Sequence, residues 1–223
     1  MKLCVPKNIE FGNVVYRFPT AARRLGILLM VWVWAISQSA SGQASAGPAS
    51  ELVEKFHNVL IGVMKKGGNI SVQQRYEILS PKVRKTFNLP FMIRIVSGAA
   101  WRSANDNDKK ALLDAFTKMS VSTYASRFDD YSGQKFETLA ESQGPKKSVL
   151  VRTRIVSPGD TPVKLTYVVR KFADKWRVID VILAGGISEL ALRHSEYRAI
   201  LKKDGPLELA ATLSKKSDQI LGK

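Results

Sequence analysis

The sequence predicts an α+β fold, a curved antiparallel sheet of about four strands wrapped by helices. Three observations carry this. Val149, Val151, Thr153 and Ile155, then Val163, Leu165, Tyr167 and Val169, are alternate residues of two runs and almost all are apolar. Arg152, Arg154, Lys164 and Arg170 fall between them, and period-two alternation of this kind marks half-buried strands. The link Ser157-Pro158-Gly159-Asp160 is turn chemistry, so the runs form an antiparallel hairpin with Val151 opposite Tyr167. Segments with helical spacing stand before and after the sheet and can cover its apolar face.

Taken in order, residues 1–46 read as a secretory address. Arg23-Arg24 flank the apolar run Leu25–Ile36, and Ala44-Ser45-Ala46 makes an Ala-x-Ala cleavage site. The run is shorter than the roughly 20 apolar residues a comfortable membrane span needs. Cleavage after Ala46 is expected, leaving one domain over 47–223; an uncleaved membrane anchor is the alternative. Within that domain the helical part covers about 48–132, the sheet about 134–183 and the C-terminal helices about 187–221.

The first helix is expected over Ser50–Lys66. Leu52, Val53, Phe56, Val59, Leu60, Val63 and Met64 form its stripe, Ser50 caps its start and Gly67-Gly68 ends it. Ser71 with Gln74 is a capping-box pattern that opens Val72–Leu79, and Pro81 is expected to start a new segment. Lys82–Trp101 is less regular but too apolar for a solvated loop, which suggests short helices. Asn105–Asp108 opens a long helix over Lys109–Asp130, with Leu112, Phe116, Tyr124 and Phe128 along one side. Phe136–Glu141 is the first strand, followed by the hairpin and a last strand, Trp176–Leu183. Helices over Ser188–Lys202 and Leu207–Leu221 complete the chain.

Net charge is +16, which favours anionic partners: nucleic acid, acidic headgroups or an acidic protein surface. No zinc-finger, recognition-helix or aromatic RNA-binding motif is present, and an export address argues further against nucleic acid. Cys4 is the only cysteine, so the body of the chain has no thiol chemistry, and its two histidines, His57 and His194, offer no metal-ligand spacing. No cofactor motif and no nucleophile elbow occur.

Phe87-Asn88, Met92, Gly98-x-x-Trp101-Arg102 and a long helix carrying Phe116 and Tyr124 together resemble the MlaC-type (toluene-tolerance) periplasmic lipid-binding proteins. Trp176-Arg177-Val178-Ile179-Asp180-Val181 and Gly186-Ile187-Ser188 extend the resemblance over most of Glu51–Leu221. Ser188-Glu189-Leu190-Ala191 and Ser195-Glu196-Tyr197 are similar to the hopanoid-biosynthesis-associated HpnM branch. Asn88 stands where the family usually has Asp, and Arg193-His194 where the branch tends to have two arginines.

The resemblance implies an NTF2-like sheet with a helical annex and a deep apolar pocket. It implies a periplasmic carrier that is not an enzyme and shuttles phospholipid or hopanoid-type lipid between inner and outer membrane. It also implies docking to an inner-membrane transporter and an outer-membrane lipoprotein complex.

The residues nominated for lining the pocket are Phe91, Met92 and Ile95 from the irregular segment, Tyr124 and Phe128 from the long helix, and Val151, Leu165, Tyr167 and Val169 from the sheet. Ordinary core packing is the plain alternative for each of them. A pocket enzyme would need a polar dyad inside the cone, for which Asp180 and Tyr167 are the candidates. The preferred reading of Asp180 is a structural carboxylate paired with an arginine such as Arg102 or Arg177, and the strand register decides which face it takes. The remaining reading is a ligand-free interaction subunit with a filled core.

Overall fold

A computed structural model of the chain describes residues 47–222. The expected signal and its cleavage site lie outside these residues. The order is α1 (Pro48–Met64), α2 (Val72–Thr86), α3 (Leu89–Ser97), α4 (Ala99–Ser103), α5 (Asp106–Arg127), then β1 (Lys135–Gln143), β2 (Ser148–Val156), β3 (Val163–Phe172), β4 (Lys175–Leu183) and β5 (Ile187–Ser188), and finally α6 (Glu189–Lys203) and α7 (Gly205–Leu221). The fold is α+β, as the alternation predicts. The sheet is one antiparallel meander in the order β1-β2-β3-β4-β5, with a fifth, two-residue strand that the sequence does not announce.

The hairpin register is the expected one, with Val151 opposite Tyr167. Its inner face buries Val149, Val151, Ile155, Leu165, Tyr167 and Val169 from β2 and β3, joined by Val178, Val181 and Leu183 from β4. α1 lies across this face and reaches β1, β2, β3 and β4. It does so because Val53, Phe56, His57, Leu60 and Met64 share one side of the helix and are all buried there. The other helices stack behind: α5 packs on α7, α2 and α3, and α6 on α3 and α7.

Two local expectations are corrected. Gly47, not Ser50, caps α1, and Pro48 occupies the first turn, where its missing N–H costs nothing. Ser50 instead lies inside the helix, and its N–H and hydroxyl both donate to Glu141 Oε2 of β1, at 3.0 and 2.6 Å. Pro81 does not start a new segment: α2 runs through it to Thr86. Leu79 and Val83 lie on one buried stripe that continues to Phe87, and their burial outweighs the lost backbone bond. The Ser71–Gln74 capping box is formed as expected.

Arg75 holds three parts of the helical layer together. Its guanidinium donates to the carbonyls of Ala125, Ile70 and Gly67, at 2.7, 2.9 and 3.3 Å. Buried carbonyls at a helix end need such donors, and a planar cation supplies several in fixed geometry. Gly67 is pressed against the carbonyl of Asp129, where a Cβ would collide with the oxygen.

Candidate functional site

The inner face of the sheet and the helices over it enclose an arc of rings. His57 of α1 shares a hydrogen bond of 3.0 Å with the Tyr167 hydroxyl and stacks on Phe136 at 4.0 Å. Phe136 meets Phe128 at 6.2 Å, and Phe128 stacks on Tyr124 at 5.7 Å. Tyr124 then touches Phe56 edge-on at 5.2 Å and Phe87 at 5.6 Å. Seven aromatic side chains from α1, α5, β1, β3 and the α2–α3 junction thus form one connected band. Rings in edge and stacked contact gain beyond their buried area, which fixes the band's shape.

A neutral histidine and an ion pair border this band. Burial lowers His57 to about 3, so the imidazole is neutral at physiological pH. Burial likewise raises the Tyr167 phenol, helped by the nearby Glu189 carboxylate. Arg193 projects from α6, with its Nη2 2.7 Å from Glu189 Oε1 and its Nη1 donating to the Tyr197 hydroxyl at 2.9 Å. Burial alone would lower its pKa, but Tyr197 and Glu189 outweigh that and keep it charged. The guanidinium also lies 5.9 Å from the Phe116 ring.

Tyr124 has two properties that rarely coincide. It lies deep enough for burial to hold its phenol well above the ordinary value, with Tyr167 and Glu189 pushing the same way and Arg127 and Arg193 opposing. Yet the residue as a whole is only half-buried.

The nine nominated lining residues divide. Val151, Leu165, Tyr167 and Val169 lie together on the inner face and are buried, with Val151 and Val169 fully so. Tyr124 and Phe128 meet them through the aromatic band. Met92 is buried in the core from α3. Phe91 instead turns to the far end of β3, where it meets Phe172 at 5.6 Å and the guanidinium of Arg170 at 5.8 Å. Ile95 is corrected: it is 48% exposed, because the buried stripe of α3 is Leu89, Met92, Ile93 and Val96 and leaves Ile95 on the other side. A concave surface of about 580 Å³ opens away from this wall, between Pro48 and Leu52 of α1, Lys85 of α2, and Lys175, Trp176 and Arg177 of β4.

The Asp180–Tyr167 dyad is not assembled. Tyr167 pairs with Val181, Val168 with Asp180 and Val169 with Val178, so Ile179 is an extra residue that sends Asp180 to the outer face. Its carboxylate pairs with neither Arg102 nor Arg177. It accepts from the Ser188 hydroxyl at 2.6 Å and from the amides of Val181 and Leu190 at 2.8 and 3.1 Å, fastening the start of α6. Burial raises this carboxyl, and those hydrogen bonds oppose the rise. The pair that sequence reading missed is His57 with Tyr167. A base with a pKa near 3 has little pull on a proton at neutral pH, which makes it a poor catalytic dyad.

The fold and this interior define a class: curved antiparallel sheets whose apolar face is roofed by helices around an aromatic-lined interior. The family model described as "MlaC protein" matches residues 54–215, and the chain belongs to the MlaC family. Among solved structures, the phospholipid-binding protein from Ralstonia solanacearum, determined in complex with a phospholipid, aligns with a TM-score of 0.67. The two share 21% identity over 78% of this chain and 99% of that one. A comparison with curated proteins finds no significant match.

Proposed function

We infer that this protein binds lipid, holding hydrophobic tails between the inner sheet face and the helical roof. The observation that carries the reading is Tyr124, enclosed by rings and yet accessible, in a chain of the MlaC family. The fold shared with a protein that was solved holding a phospholipid supports it. The finer reading is a periplasmic carrier that moves phospholipid or hopanoid-type lipid between inner and outer membrane. It would dock on an inner-membrane transporter and an outer-membrane lipoprotein complex and belong to the HpnM branch. That reading rests on the sequence resemblance and the export address.

The energetics suit a carrier without chemistry. Each methylene moved out of water is worth about 0.8 kcal/mol, so a sixteen-carbon tail gains on the order of 12 kcal/mol. A bilayer offers nearly the same, so transfer between membrane and protein is a small difference of large terms. A neutral apolar wall is what such an exchange requires.

Organic extraction of the purified, folded protein, followed by mass spectrometry, tests the reading. Stoichiometric copurified lipid is expected. Repeatedly lipid-free preparations that also take up none from vesicles would leave the filled-core interaction subunit as the better account, a reading favoured by the complete burial of Val151 and Val169.

A further inference from the structure

Three phenols lie around the inner face and the start of α6. Tyr167 is satisfied by His57, and Tyr197 by Arg193. Among the described residues Tyr124 makes ring contacts with Phe56, Phe87 and Phe128 and no hydrogen bond through its hydroxyl. The residue itself keeps some accessible surface. A phenol with no partner, deep in a fold, loses a bond it would have had in water, and such groups are rare unless something else supplies the bond.

We propose that the Tyr124 hydroxyl is a specificity-determining donor that hydrogen-bonds an ester carbonyl at the head of a buried acyl tail. The inference rests on the lipid-binding reading and deepens it. Phe56, Phe87 and Phe128 hold the Tyr124 ring on three contacts, so the hydroxyl is fixed in place. Its electrostatic neighbours are Tyr167, Glu189, Arg127 and Arg193, so the phenol stands where the hydrocarbon wall meets the polar start of α6. A glycerolipid whose tails enter an apolar interior must carry its ester carbonyls to that boundary. A carbonyl there loses water and accepts readily from a fixed O–H. The Glu189–Arg193 pair is matched within the protein.

The test is a competition between diester and diether phosphatidylcholine of equal chain length, mixed equally in vesicles. The full-length chain, purified and delipidated, is incubated with them, and its bound lipids are read by mass spectrometry. The wild type is expected to favour the diester about fivefold, the value of one net hydrogen bond. Tyr124→Phe should carry as much total lipid and show no preference. Because the hydroxyl makes no hydrogen bond among the described residues, delipidated Tyr124→Phe should melt with the wild type. Equal selectivity in the two proteins would overturn the assignment while leaving lipid binding intact. A marked loss of stability in the delipidated variant would overturn it too, by showing that the hydroxyl serves the fold. Absence of either lipid from the wild type would overturn this inference together with the reading it rests on.

Discussion

His57 shows how much one residue's setting decides. It sits on the stripe Val53, Phe56, His57, Leu60 and Met64, four of them apolar, and that position was the available signal that it faces the sheet. The expected pH response follows from its lowered value. Below about 6.5 the unfolded chain takes up the proton first, while the folded chain resists until about 3. Stability contributed by the neutral form is therefore present above 6.5 and lost as the pH falls, by on the order of 4 kcal/mol across the window. The double substitution His57→Leu with Tyr167→Phe removes the histidine without stranding the phenol. Denaturant titrations from pH 7 to 4 should show a shallower loss in this variant than in the wild type; parallel curves would contradict the buried neutral state. Tyr124 and Tyr167 were readable as apolar-face residues, but no pattern of letters says which hydroxyl finds a partner.

Helix ends and strand registers form the next scale. Asn88 caps α3, its side-chain oxygen accepting from the Phe91 amide at 3.1 Å. The cap needs an oxygen and not a charge, which accounts for Asn where the family resemblance led one to expect Asp. Asn88→Asp should stay within a few tenths of a kcal/mol of the wild type, whereas Asn88→Ala should lose about 1 kcal/mol in chemical denaturation. Equal losses in both would show that the amide N–H₂ matters instead. The β2–β3 register was legible because two long alternating runs and a tight turn leave no freedom. The face of Asp180 was not, since alternation cannot reveal the extra residue at Ile179. The passage of α2 through Pro81 was hidden for a similar reason: local punctuation lost to the buried stripe that follows it.

For the molecule as a whole, the division into helices, sheet and closing helices was written in the hydrophobic periods, and so was the identity of the inner face. Periods show which side is apolar. They do not show whether facing side chains meet or leave room between them, which is why the nominated lining splits into packed Val151 and Val169, accessible Tyr124 and outward Ile95. If lipid occupies the interior, it acts as part of the core. Protein stripped of lipid should then melt about 5–10 °C below protein held at a hundredfold excess over its dissociation constant. Calorimetry of loaded and stripped samples measures this, and a filled core would show no difference. Arg152→Glu, on the outer face, should leave both curves where they are, because that side chain is exposed and donates to the Ser142 hydroxyl rather than facing the interior.

Ile179 has a consequence that reaches beyond its own strand. Were β4 regular from Val178 onward, Asp180 would stand opposite Tyr167, on the buried face. A fatty chain against that face would then have to strip water from that carboxylate or protonate it. One surplus residue in β4 keeps that acid off the inner face, by its place in the count rather than by anything it touches.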